Sequence, residues 1–365
     1  MHPDSIFHVA SAGFEAARRL DRVPAGHPAG RLHGHSFRAT VCAALPRADG
    51  GFDGAAAGAL RARLERCVAA LDHRCLNEVV DDAGDAALAR WIGAQLEWPA
   101  GAGPRALRVA LRSAPLQGVE IDADGRALTW RRYRFEAAHR LPQVPPGHKC
   151  GRMHGHGFEV VIRAAAAAEA IDAQWAPLHE ALDHRCLNEI AGLENPTSEN
   201  LASWIRARLD AASPRLPGLD WLTVFETGSC GANHDGAQHR IWKDCRFDSA
   251  VALRAAPADD ARARLHGHSY LLRLHLAAPL DALLGWTIDF GDVKRIFDPV
   301  FAELDHRPLL ELAGLPDGDA ASLAAWVMER ARQQLPALVR VDVEETPGCG
   351  AMLVRGAAPG PLGAW

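Results

Sequence analysis

The chain has no run of roughly eighteen apolar residues free of charge, so no membrane-spanning helix is expected. Its first residues, MHPDSIFHVASAGFEAA, hold no basic segment followed by an apolar one, so no secretory leader of the usual form is expected. Lysine and arginine form no block, and the net charge of -5 is spread along the sequence. No electrostatic footprint for nucleic acid or anionic lipid results. No two of the eight cysteines make a CxxC pair, and a chain of 365 residues needs no disulfide staples. Cys42, Cys67, Cys75, Cys150, Cys186, Cys230, Cys245 and Cys349 are therefore expected as thiols. These absences leave a cytoplasmic, untethered globular protein, whose 48% hydrophobic content is enough for two or three domain cores.

What the sequence does have is one signature written three times: GRLHGHSF from Gly30, GRMHGHGF from Gly151 and ARLHGHSY from Ala263. Around it the same landmarks recur in the same order. SAGFEAARRL, RYRFEAAHRL and DCRFDSAVAL lie upstream; LDHRCLNE, LDHRCLNE and LDHRPLLE lie downstream. A tryptophan-centred helical pattern follows each time, and then an apolar segment ending in SAPLQG, ETGSCG or ETPGCG. A repeat of this period is a small domain copied in tandem. The turn-like DADG near Asp122 and HDG near Asp235 divide the chain into units 1–122, 123–237 and 238–356, with a Gly/Pro-rich tail at 357–365.

Within each unit the patterns give strand, strand, helix, loop, helix, strand. RYRFEAAHRL and HGFEVVIRA are expected as antiparallel partners, IDAQWAPLHEAL and SENLASWIRARL as helices, and DWLTVFET as a short last strand. Asn195-Pro196 places a capping residue and a first-turn proline at the start of the second helix.

The second unit carries the chemistry. On an extended strand His154 and His156 point to the same side, so both can grip one ion. His139, at the end of the preceding strand, completes three imidazoles if the two strands pair, leaving a fourth position open as in a catalytic zinc site. A pair of strand histidines with packing roles is the plainer reading of HGH alone; His139 and the neighbouring Cys150 weigh against it. Where the second unit has His139, the first has Arg18 and the third Val251; where it has Cys150, they have Ala29 and Arg262. Glu226 aligns with Glu345 in the third unit and with Arg112 in the first, and PTSEN at Pro196–Asn200 occurs once. One complete site and two reduced copies are thus expected. Lys149 and a bound metal should lower the Cys150 thiol pKa towards neutrality and make it a usable base. The Asp–His pairs at Asp72/His73, Asp183/His184 and Asp305/His306 suit either a relay or a folding role.

FEAAHRL, GHKCGRMHGHGF, LDHRCLNE, NPTSENLASWI and FETGSCG together resemble the 6-pyruvoyltetrahydropterin synthase superfamily. The short Cys150-x3-His154 spacing is similar to its 6-carboxytetrahydropterin synthase branch of queuosine biosynthesis. The resemblance covers the second unit nearly throughout and the other two more faintly. It implies an α+β tunnelling fold (T-fold), each unit a four-stranded antiparallel sheet with two helices, three units closing a pseudo-trimeric barrel. It also implies that two such chains stack face to face as a dimer.

By the same resemblance, His139, His154 and His156 hold Zn2+, Cys150 transfers protons, and Asp183 and His184 form the relay. Glu226 anchors the pterin beside Thr197 and Ser198, and Lys149 meets the anion. The implied reaction converts 7,8-dihydroneopterin triphosphate to 6-carboxy-5,6,7,8-tetrahydropterin, releasing acetaldehyde and triphosphate. Formation of 6-pyruvoyltetrahydropterin, or an inactive pterin-binding scaffold, is the alternative. A barrel amidohydrolase is disfavoured, since no series of eight βα units is present. One departure stands out: the Asp-Phe segment before the first helix occurs as GWTIDFGDVKRIF in the third unit, while the second has the shortened AAAAAEAIDAQWAPLHEAL. A loop beside the site is expected to be missing.

Overall fold

The computed structural model of the chain describes residues 4–45, 53–98, 103–356 and 360–362. In the first unit β1 (Ser5–Arg18) and β2 (His33–Ala43) precede α1 (Asp53–Ala69), the two-residue β3 (Arg74–Cys75), α2 (Asp85–Gln95), β4 (Leu107–Ala114) and β5 (Gln117–Ile121). The second repeats this as β6 (Ala127–His139), β7 (His154–Ala164), α3 (Ala168–Leu182), β8 (Arg185–Cys186), α4 (Ser198–Ala211), β9 (Trp221–Thr227) and β10 (Cys230–His234). The third has β11 (His239–Val251), β12 (His266–Leu276), α5 (Phe290–Leu304), α6 (Ala320–Ala331), β13 (Leu338–Thr346) and β14 (Cys349–Val354).

Twelve of these strands form one closed antiparallel barrel in the order β1-β2-β4-β5-β6-β7-β9-β10-β11-β12-β13-β14, with β14 returning to β1. The last seam runs from Ser5 opposite Val354 to Val9 opposite Gly350. Closure satisfies both edges that an open sheet would leave to pair with other chains. Side chains alternate across the wall. Ala10, Ala12, Phe14 and Ala16 of β1 pack outward in the core beneath α1 and α2, while Ser11 between them lines the lumen. Three separate apolar cores result, one under each helix pair, centred on Phe37, Phe158 and Tyr270 at equivalent strand positions.

The structure agrees with the four-stranded unit that the family resemblance implies, and departs from the residue-pattern reading in two details. A fourth strand in each unit, β5, β10 and β14, follows the Gly-containing turn, where residue patterns alone gave three; each is only five or six residues long. The turns at Asp122 and Asp235, where the units were expected to divide, are the turns of the hairpins β5–β6 and β10–β11. Finally, α4 is capped by Thr197, whose hydroxyl accepts the Asn200 N–H, rather than by Asn195. Of the tail, residues 357–359 and 363–365 lie outside the described residues, but Gly360–Leu362 enter the barrel. Leu362 is buried beside Phe7, Cys42, Met352 and Val354, and its N–H donates to Glu120 at 2.8 Å.

Candidate functional site

β6 and β7 pair in the register that sets His139 opposite His154 and Ala137 opposite His156. The one-residue spacing of HGH then gathers three imidazoles on one side, with a ligand atom from each lying within 4.8 Å of the others. Ring centroids are 4.5 Å apart for His139–His154 and 5.1 Å for His154–His156. Hydrogen bonds orient two of the rings: the Nδ1 of His139 lies 3.0 Å from the Pro196 carbonyl and that of His154 2.8 Å from the Arg152 carbonyl. A ring that donates Nδ1–H to a carbonyl presents a lone pair at Nε2, the tautomer suited to metal ligation. The Nε2 atoms of His139 and His156 are buried without a hydrogen-bond partner. Buried polar nitrogens left unpaired are costly unless another group takes them up. Desolvation lowers the His139 pKa to about 4 and also lowers that of His156, partly against the field of Glu226, so both rings are neutral at physiological pH. This donor set fits a divalent ion.

Glu226, on β9, stands beside the cluster. Its Oε1 is 3.6 Å from His156 Nε2, and its Oε2 accepts a hydrogen bond from the Ser198 hydroxyl at 2.7 Å. Cys150 sits in the short 3-10 turn Lys149–Gly151, half-buried and within the field of Glu226. Among the protein groups alone its thiol pKa is raised. Burial is the largest cause, Glu226 and Asp289 add to it, and Lys149 opposes them. The expected cation effect is therefore present but outweighed. Lys149 itself is exposed. Thr197 is buried and does not face a free pocket: its hydroxyl donates to the Gly285 carbonyl at 2.6 Å while capping α4.

That contact shows where the missing loop is. The segment before α5 in the third unit crosses to the middle site, so the second unit's shortened loop is complemented rather than lost. Asn195 donates to the Leu284 carbonyl at 2.8 Å. Glu199 accepts both the N–H and the hydroxyl of Thr287 at 2.8 Å. His148 Nε2 lies 3.7 Å from Asp289, and its ring is 6.1 Å from Trp286. PTSEN is thus largely a seam motif, with Ser198 turned to Glu226. Glu199, buried with its pKa pushed up to about 7 by desolvation, was not among the expected residues. The uniqueness of PTSEN was the available signal.

A family profile described as 6-pyruvoyl tetrahydropterin synthase matches residues 9–124, 128–237 and 240–355. The chain belongs to the 6-pyruvoyl tetrahydropterin synthase family. It is 35% identical over 122 residues to a 6-carboxy-5,6,7,8-tetrahydropterin synthase of Synechocystis sp., a match spanning 29% of this chain and 92% of the relative. It is 31% identical over 102 residues to a dihydroneopterin monophosphate aldolase of Pyrococcus furiosus, spanning 28% of this chain and 82% of the relative. A solved 6-pyruvoyl tetrahydropterin synthase of Caenorhabditis elegans aligns with 19% identity and a TM-score of 0.30, over 32% of this chain and 95% of that one. The chain is accordingly an enzyme of the pterin synthase kind, built from three tandem family domains.

The three family domains of this chain do not offer the same site. In the first, Arg18 stands where His139 does, 3% exposed, and its guanidinium donates to Asp85 at 2.6 Å and to the Ala83 carbonyl at 2.9 Å. A cation fills the third ligand position beside His33 and His35. In the third, Val251 faces His266, and Arg262, in the place of Cys150, donates to the Gly54 carbonyl of the first domain at 2.8 Å. Among the described residues only His139, His154 and His156 form such a ligand group. The alignment of Glu226 with Arg112 is corrected by the register. Arg38 pairs with Arg112 as Glu159 does with Phe225 and Leu271 with Glu344, so the equivalent of Glu226 and Glu345 is Ser113. Arg112 faces the lumen instead.

The Asp–His pair is not drawn into the cluster. Asp183 caps the C-terminus of α3, its carboxylate accepts the Glu136 N–H at 2.9 Å, and the His184 N–H donates to the Glu136 carbonyl at 2.6 Å. The His184 side chain is 78% exposed and bonded through Nδ1 to Asp183. All three pairs share this geometry, with the histidine in the left-handed region at φ 53–55°. Histidine tolerates that region better than bulky residues do.

Proposed function

We propose that the middle domain converts 7,8-dihydroneopterin triphosphate and one water to 6-carboxy-5,6,7,8-tetrahydropterin, acetaldehyde and triphosphate. The observation that carries this reading is the coincidence, in one domain alone, of three converging imidazoles, a carboxylate 3.6 Å from one of them and a thiol in the same electrostatic field. The Synechocystis relative, matched over nearly its whole length, supports the choice of product.

In this reading His139, His154 and His156 hold zinc. Zinc held there would supply Lewis-acid chemistry to the substrate side-chain oxygens. Glu226 accepts paired hydrogen bonds from the pterin ring N–H and amino group, with Ser198 fixing its second oxygen. Cys150 moves the proton at the substrate side chain, and the exposed Lys149 meets the triphosphate. Asp289 and Trp286 of the third domain close the side of the pocket next to His148. The chain acts as a pseudo-trimer of units 1–122, 123–237 and 238–356 with the tail at 357–365. Asp183 and His184, turned outward, are presented to the site of a second chain stacked face to face.

Titration with neopterin, followed by its fluorescence, tests the anchor. Glu226→Gln should weaken binding at least tenfold while zinc content stays unchanged; equal affinity in both proteins would remove Glu226 from the pocket and with it this reading.

A further inference from the structure

The barrel lumen contains a cavity of about 370 Å3. Five arginines line it against two carboxylates, Asp244 and Glu344. It is a cup open to solvent, and Arg38 and Arg246 in its lining are exposed. Trp130, Phe225 and Trp242 form a buried belt across the lumen. Beyond them Glu120 is bridged by Arg163 and by the Leu362 N–H of the tail segment.

Two of the arginines are matched in place. Arg132 donates to Glu159 at 2.6 Å, and Arg273 grips Asp244 through two bonds of 2.5 and 2.8 Å. Among the described residues no carboxylate pairs with Arg38, Arg112 or Arg246. Arg38 and Arg112 are direct cross-strand partners on β2 and β4. Like charges set opposite each other on a sheet repel. Burial, then Arg38, then Arg132 hold the Arg112 pKa below its ordinary value. The equivalent wall positions are Glu159 and Phe225 in the second domain and Leu271 and Glu344 in the third. The doubled arginine therefore belongs to the first domain alone, on a wall whose barrel pairing prevents the two charges from separating.

We propose that this cup binds a small multivalent anion of the phosphate class, held between Arg38 and Arg112 on one wall and Arg246 across the cavity. The hydroxyls of Ser11, Thr40 and Ser269 line the same space and serve as neutral donors. A guanidinium–phosphate bond is the strong, charge-assisted kind. The site is separate from the histidine cluster, and its occupancy does not depend on the reaction proposed above.

Calorimetric titration of the full chain with inorganic triphosphate tests this, with ATP as a second arm to separate free polyphosphate from a phosphate ester. Wild type should bind triphosphate, and Arg38→Gln/Arg112→Gln should bind it about a hundredfold more weakly, tenfold for each lost contact. Because the double variant relieves a repulsion, its melting temperature should not fall, and triphosphate should raise it less than it raises that of wild type. Should that variant not fold, Glu344→Gln, which removes a negative charge from the cavity lining, should tighten triphosphate binding several-fold. Either arm binding with these effects supports the site. No binding to wild type, or no change in Arg38→Gln/Arg112→Gln and Glu344→Gln, overturns it.

Discussion

Glu199→Gln should remove a specific part of the protein's pH dependence. Glu199 is 2% exposed at the seam between the second and third domains. Desolvation lifts its pKa from 4.5 to about 7, against the two hydrogen bonds from Thr287 that favour the charged form. The unfolded chain releases this proton near 4.5, whereas the folded chain keeps it until about 7. Between those values the folded state binds more protons, so stability falls as pH rises through the window and levels off above it. At 1.36 kcal/mol per pH unit the displacement amounts to about 3 kcal/mol. Glutamine keeps a carbonyl oxygen for Thr287 and has no charge to bury. Denaturant unfolding of both proteins at pH 5 and pH 8 should show wild type losing about 3 kcal/mol more than the variant. Parallel pH profiles would refute the assignment of a buried, proton-holding carboxylate to this seam.

Other expectations follow from the three unequal domains. His139→Ala should abolish stoichiometric zinc, measured by elemental analysis after dialysis, because two ligands remain where three are needed. Conversely, Val251→His places a third imidazole opposite His266 and should raise bound zinc from one to two ions per chain; a count that stays at one would show that the third domain's geometry cannot close around an ion. Asp289→Ala removes a carboxylate from the third domain and should change the pH dependence of the middle site's turnover while leaving its zinc content intact. An unaltered pH profile would show that the loop only packs there.

Much of this was legible in the sequence, because the repeat brings its own controls. HGH on a strand, His139 one strand earlier and the substitutions Arg18 and Val251 located the histidine cluster without coordinates. What escaped depended on register and on distant segments. Arg112 and Ser113 differ by one residue, and one residue reverses the face of the sheet; the irregular pairing between Arg112 and Ala114 hid which of them follows Glu226. Thr197 and Gly285 are 88 residues apart, so nothing local marked PTSEN as a seam or GWTIDFGDVKRIF as its partner. The fourth strands were too short and too glycine-rich at their turns to stand out by alternation. The Asp–His pairs remained ambiguous in sequence because their ties run to strand backbone at Glu136 and its equivalents.

In the proposed function the middle domain performs the chemistry. Purified, zinc-loaded protein incubated with 7,8-dihydroneopterin triphosphate, with products followed by mass spectrometry, tests it most directly alongside Cys150→Ala. Wild type should give 6-carboxy-5,6,7,8-tetrahydropterin and the variant none at equal zinc content. Pterin binding without turnover in either protein would contradict it.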